Sequence, residues 1–525
     1  MNSKKQGLFV AADGKNLAFT FCITSSLFLL WGFCNGMIDV MDKHFQEELH
    51  LTLSQSAWVQ FAHYLGYFLM SLPAGWLAIR LGYKGGIIAG LLLVACGGFW
   101  FIPATHIAQF WAFLLGVCMI ASGLTFLETV ANPYTTVLGP KEFAATRINL
   151  AQSCNGVGWF FGPIAGAMFF YSKDAAGNST GSQTLWIPYT AVAVIVVALA
   201  AAFYFAPVPD IKTADEYHLD DTVGETSAER RLPRGLIYFL LLCNVAVLVG
   251  ILAMILWVIL DTFKVSPATM ETTLWAVGLV GVAAAGFALV PTARNISHHS
   301  IWSHPHFSGA TLAQFFYVAA QAGIFSFLIN YMTSEVPALP QSWTTGWLKN
   351  WFEIKDGIFH FSDQGASSLA SLGFFCFLAG RVSGAAILKK FPAHRVLGIY
   401  GFINVAVCLL IFLRLGWLSV ICVFLSYFFM SIMFPTIFAL GIHGLGARAK
   451  RASGFIVMAI MGGAMLPKLM GHIADEHGMS AGFIVPLFCF LVVGGYALLW
   501  PKLSQADTIA VSPEPEHLAT DQSAK

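Results

Sequence analysis

Apolar runs close to 20 residues long recur from near one end of this chain to near the other, and nothing else in it restricts the fold so tightly. The first reads LAFTFCITSSLFLLWGFCNGMI. A hydrocarbon layer roughly 30 Å thick takes about 20 apolar residues of helix to cross. Backbone polar groups inside that layer must bond within their own segment, so each run predicts a helix. Composition points the same way: only 10% of the 525 residues are charged, against about 25% in soluble domains. The expectation is an all-α polytopic membrane protein. The first run is too long for a signal-peptide core and is followed by no clear small-residue cleavage site, so it reads as an uncleaved span.

Fourteen spans are expected, at 18–41, 57–79, 85–104, 109–137, 147–171, 186–207, 236–260, 272–292, 307–331, 366–388, 394–413, 416–440, 453–474 and 480–500. The charged stretch PDIKTADEYHLDDTVGETSAERRLPR after the sixth reads as a soluble linker. The regions are then an N-terminal tail (1–17), a six-helix half (18–207), a linker (208–235), an extra hairpin (236–292), a loop (293–306), a second six-helix half (307–500) and a C-terminal tail (501–525). Lys and Arg orient them. With both termini cytoplasmic, the inner segments hold most of the basic residues, from Lys4 and Lys5 through Arg80, Lys84 and Arg147 to Lys389, Lys450 and Arg451. The outer ones hold Lys43, Lys173, Lys264, Lys349, Lys355 and Arg414. An odd change in span count would scramble that bias, so the middle pair is counted together.

The halves echo one another. LPAGWLAIRLGYKGG and LAGRVSGAAILKKFPAHR both place glycines before a basic turn. The fourth span of each half has an internal proline, in ETVANPYTT and IMFPTIFAL. The fifth spans, GVGWFFGPIAG and GGAMLPKLMG, pair small residues with a proline, a combination that permits close contact and bending. Matching interruptions in two six-helix halves predict a transporter built from repeats.

Glu128, in GLTFLETVANPYTTVLG, is an acid with no basic residue within a helical turn. At mid-membrane an acid costs roughly 2.5–3.5 kcal/mol on translocon scales, so it reads as functional by default. Asn132 shares its face, and Pro133 frees a backbone carbonyl. Asp39, with Asn35 one turn before it, is either an interfacial acid reaching water or part of the same polar surface. Gln152 and Asn155 share a face, as do Gln314, Tyr317 and Gln321. Any one amide serves helix contact or ligand contact equally well. As a set they suit a polyhydroxylated ligand, because each hydroxyl needs a donor and an acceptor. Arg381, in LAGRVSG, is expected to pack or pair at the cytoplasmic half, and Lys468 either partners an acid or snorkels outward. Trp343, Trp347 and Trp351, four apart, predict an interfacial helix, with a lid over the substrate path as the sharper alternative.

Several classes are excluded. A net charge of +1 leaves no basic surface for nucleic acid. The ten cysteines are scattered without a C-x-x-C pair and read as small hydrophobes. The histidines of ISHHSIWSHPHF fit a juxtamembrane turn rather than a metal tract. No phosphate-binding G-x-x-x-x-G-K-[ST] loop, H-E-x-x-H or G-x-S-x-G occurs, so neither an ATPase nor an enzyme is indicated, and no cofactor or metal is expected.

The runs SLFLLWGFCNGMIDV, LETVANPYTTVLGP, RINLAQSCNGVGWFFG, LAQFFYVAAQ and FPTIFALGIHGLG resemble the fucose permease family of the major facilitator superfamily over most of the chain. The resemblance implies proton-coupled uptake of a monosaccharide across a bacterial inner membrane, L-fucose in some members and glucose or galactose in others. It implies that Asp39 and Glu128 are the essential acids and that Gln152 and Asn155 are sugar contacts. Two departures bear on the sugar. Asn35-Gly36 stands where the family has two asparagines, and SIMFPT puts Met433 and Phe434 where it has Gln and Tyr. The middle pair of spans exceeds the family's usual twelve and is expected to be a peripheral hairpin. An amino sugar as substrate and a non-transporting sugar sensor are the other readings.

Overall fold

The computed structural model describes residues 7–10, 14–48, 53–170, 186–209, 234–262, 264–297, 300–338, 351–355 and 358–504. Helices α1 (Ala18–Glu48), α2 (Leu53–Ile107), α3 (Phe110–Val137), α4 (Ala144–Phe170) and α5 (Trp186–Phe205) form the first half. Then come α6 (Arg234–Thr262) and α7 (Pro267–Arg294). The second half has α8 (Pro305–Ser326), α9 (Leu328–Ser334), α10 (Asp363–Leu388), α11 (Ala393–Phe412), α12 (Trp417–Met430), α13 (Met433–Gly441), α14 (Ala449–Met458), α15 (Gly462–His477), α16 (Met479–Gly482) and α17 (Ile484–Ser504).

Eleven described stretches are long and apolar enough to cross a membrane, or twelve if α8 and α9, bent by 45°, form one broken span. One of them, Phe61–Ile107, has 47 residues, too many for a single crossing. Gly82, at φ 72°, ψ −177°, breaks α2 into two helices there, in a conformation glycine adopts without a Cβ penalty. α4 has the length of a span but carries Asn149, Gln152 and Asn155, and is not in that apolar set. With these two the fourteen expected crossings are all helical.

Within each half the first and fifth spans pack together, α1 on α4 and α8 on α15. Between the halves α4 meets α10 and α2 meets α14, so the second and fifth spans exchange partners as a two-fold pseudo-repeat requires. Small residues permit the closest approaches. A Cβ on Gly158 would lie 2.3 Å from the Leu29 carbonyl of α1, and one on Gly462 would lie 2.2 Å from the Phe315 carbonyl of α8. Arg147 is wholly buried and caps α3, donating from Nε to the Thr135 carbonyl (3.0 Å), from Nη1 to Pro140 O (2.7 Å), and to Thr136 O. It thus satisfies carbonyls that a helix end leaves unpaired.

The middle pair is only half peripheral. Among the described residues of α7 only Ala293 is buried, and α7 rests on α6, where the Tyr238 hydroxyl donates to Gly286 O at 3.0 Å. α6 is built into the bundle. Ile251 is buried against Phe315, Ala459 and Met461, and Asn244 Nδ2 donates to Ser308 O of α8 at 3.0 Å. Absence of charge signals a lipid-compatible helix but does not say which side meets protein, which is why the sequence placed both helices outside. Trp343 and Trp347 lie outside the described residues. Trp351 leads into an antiparallel hairpin of β1 (Phe352–Lys355) and β2 (Ile358–Phe361) rather than continuing a helix. In β1, Phe352 and Ile354 alternate with Glu353 and Lys355, the period of a strand.

Candidate functional site

The site grows outward from α3, in which Ile120 through Thr136 are buried without a gap. Glu128 is 3% exposed, and both carboxyl oxygens are buried without a hydrogen-bond partner in the protein. One turn on, Asn132 Oδ1 accepts from Gln152 Nε2 of α4 at 3.0 Å. Gln152 in turn meets Arg381 of α10: the guanidinium Nη1 donates to the Gln152 carbonyl (2.7 Å), to its Oε1 (3.3 Å) and to Asn155 Oδ1 (2.9 Å). Nε of Arg381 donates to Ser431 O at 2.9 Å. That carbonyl is available for a local reason. Its helical partner would be the N–H four residues on, where Pro435 has none. A proline in the fourth span of the second half thereby creates an acceptor for an arginine in its second span. The result is a polar chain from α3 through α4 and α10 to the break between α12 and α13, joining the two halves. Arg381 also lies 4.5 Å above the Phe377 ring and interacts electrostatically with Glu128 and Tyr317.

This chain borders a cavity with about 830 Å³ of free space between the halves. Trp31 and Asn35 of α1, His63, Tyr64 and Tyr67 of α2, and Asn155 and Trp159 of α4 form one wall. Gln321 and Phe325 of α8, Arg381 and Phe434 form the other. Trp31 Nε1 donates to the Tyr67 hydroxyl. Asn35 Oδ1 and His63 Nδ1 are buried without a protein partner. Trp159 stacks on Phe374 with centroids 5.6 Å apart and meets the edge of Phe325 at 6.2 Å. Amide, imidazole, phenol and guanidinium beside flat rings can bind a ring-shaped molecule rich in hydroxyls, hydrogen-bonding its rim and covering its apolar face.

Among the expected site residues, Asn35, Asn155 and Gln321 line this cavity. Asn132 and Gln152 lie behind its wall in the hydrogen-bonded chain, and Glu128 is buried one turn from Asn132. Asp39 lies on α1 one turn beyond Asn35, and its side chain is outside the described residues. Gln314 and Tyr317 are fully buried on α8, two turns and one turn from Gln321, and do not line the cavity. Their polar atoms have no protein partner, and the Tyr317 ring is 6.3 Å from that of Phe434. The sequence missed His63, Tyr64 and Tyr67, although FAHYLGY places three polar rings in an apolar run. Arg381, expected to pack or pair at the cytoplasmic half, does pair, and it lies in the cavity wall, where its acceptors on α4 and at the α12–α13 break meet. Lys468 is exposed on α15. Its ammonium sits 3.9 Å from the centroid of the Trp257 ring of α6.

The family model of the Major Facilitator Superfamily matches residues 20–304. The chain is 30% identical to the L-fucose-proton symporter of Escherichia coli (strain K12), over 92% of this chain and 93% of that protein. It is 27% identical to a glucose/galactose transporter of Brucella abortus biovar 1 (strain 9-941), over 93% and 95%. Among solved structures it is similar to a major facilitator superfamily transporter, FucP, in the outward conformation, with a TM-score of 0.64 and 29% identity over 92% of this chain and 98% of that one.

Proposed function

The chain belongs to the major facilitator superfamily and, within it, to the fucose permease family, and from that premise we propose that it imports a monosaccharide together with a proton. The substrate is L-fucose or a related hexose, and the central cavity is exposed to one side of the membrane and then the other as the halves rock. The observation that carries this reading is Glu128, a buried carboxyl without a hydrogen-bond partner, one turn from Asn132, which is joined through Gln152 and Arg381 to the wall of a polar cavity between the halves. A buried charge without a partner is costly. Glu128 therefore either carries a proton or draws on the positive charge of Arg381. A sugar that competes for Arg381 and the amides would shift that balance toward the protonated carboxyl, coupling the two loads. Asp39 either binds sugar hydroxyls or passes the proton on. Asn35, Asn155 and Gln321 contact the sugar directly; Asn132 and Gln152 position the contacts; Gln314 and Tyr317 extend the polar surface along α8.

In this reading residues 18–207 and 307–500 are the moving halves and 236–292 is a hairpin attached to the second. The protein is a multi-pass component of a bacterial inner membrane with both termini cytoplasmic. Fourth-span residues Met433 and Phe434 offer the cavity no hydroxyl, so a panel of labelled sugars must decide among fucose, glucose, galactose and amino sugars. The coupling test is Glu128→Gln in proteoliposomes. Sugar counterflow should persist while uphill, pH-driven uptake disappears; uphill uptake by the variant would remove Glu128 from the coupling step.

A further inference from the structure

Beside the central cavity lies a second, with about 1220 Å³ of free space. Its walls include Phe61 and Tyr64 of α2, Met254 and Trp257 of α6, Phe327 at the α8–α9 bend and Lys468 of α15. Tyr64, Ala322 and Ser326 line both cavities, so the two spaces adjoin along these side chains. Gly463 lets α15 approach Tyr64 closely, since a Cβ there would lie 2.7 Å from the Tyr64 hydroxyl. The stacking of Lys468 on Trp257 holds the extra hairpin's ring in place.

The two spaces differ in chemistry. One presents amides, imidazole and guanidinium; the other presents mostly rings and alkyl groups. A lone monosaccharide needs only the polar space, since its hydroxyls seek hydrogen-bonding groups. Polar and ring-lined spaces that adjoin along two small residues and one ring are complementary to a molecule with a hydroxyl-rich part and an aromatic part. A pocket that served only a lipid tail would need no such continuity with the polar cavity. We propose that the lateral cavity is an aglycone subsite, and that the protein accepts aryl glycosides of its monosaccharide. The sugar ring occupies the central cavity while the aryl group packs against Met254 and Trp257. The inference rests on the sugar-transport reading above, and it gives the hairpin a role in specificity through α6.

The test uses the full chain in proteoliposomes. p-Nitrophenyl glycosides of L-fucose, D-glucose and D-galactose compete against the matching labelled sugar. The glycoside of the transported sugar should inhibit at a concentration at least about tenfold below that of the free sugar, as burial of an aromatic ring requires. Met254→Trp and Ala464→Phe fill the lateral cavity from different helices. Each should bring that ratio to within about twofold while labelled-sugar uptake continues. Equal potency of sugar and glycoside in the native protein, or an aryl advantage that survives both fillings, overturns the subsite and leaves the transport reading standing. Phospholipid that co-purifies with the native protein, is lost from Met254→Trp and accompanies no aryl advantage assigns the cavity to lipid instead. If neither these three labelled sugars nor labelled amino sugars are taken up, the transport reading itself fails and the subsite falls with it.

Discussion

Arg381 is the residue on which the two halves converge. Its guanidinium serves acceptors on α4 and at the α12–α13 break at once, in directions that only a planar fork can supply. Lysine keeps the charge but presents a point donor on a flexible stem, so Arg381→Lys should lose at least one of these contacts. Hydrogen bonds to charged groups contribute about 1.5–3 kcal/mol each. Sugar affinity is therefore expected to fall by about tenfold or more, with a lower detergent-phase melting temperature, as binding titration and thermal unfolding would report. Unchanged affinity in the lysine variant would mean that the fork only braces the fold. Glu128 was legible in the sequence because an acid in an apolar helix stands out one residue at a time. Arg381 was visible as a charge, but its task was not, since its partner Gln152 lies 229 residues away in the chain.

Between helices, the small residues of the fifth spans set how closely the elements approach. Gly158 abuts both Leu29 O and the Phe33 N–H of α1, at 2.3 and 2.5 Å from a Cβ. Overpacking commonly costs about 1–3 kcal/mol, and more where backbone is in the way. Gly158→Val is accordingly expected to sharply reduce the monodisperse fraction on size-exclusion in detergent. Gly495→Ala on α17, which meets nothing within 4 Å, should behave as the native protein. Sequence reading marked these glycines as sites of close contact because small residues have that use in membranes. It could not say that α4 meets α1, or that α15 meets both α8 and Tyr64 of α2. The same gap explains α6: a uniformly apolar helix does not reveal which of its sides faces protein.

Across the whole molecule, α2 and α14 hold the halves together at the end carrying Lys84 and Lys450, where Lys450 Nζ lies 4.1 Å from the Tyr83 ring centroid. Alternating access requires this contact to open. A Cβ on Gly75 would lie 3.8 Å from the Arg451 Cα, close enough for two introduced cysteines to be bridged. Oxidising Gly75→Cys/Arg451→Cys should stop sugar uptake and reduction should restore it, with each single variant unaffected; continued uptake by the cross-linked protein would argue against rocking at this interface. The sequence by itself determined the helices, their number and the paired prolines and glycines of the two halves. Lipid leaves an apolar run no other way to satisfy its backbone, so those features need only local information. The tertiary structure alone decided which polar groups meet, that Arg381 joins the halves, that α6 enters the bundle, and that a ring-lined cavity adjoins the polar one. Each depends on where distant helices cross, and helix crossings are set by side-chain packing across the bundle rather than by any one segment.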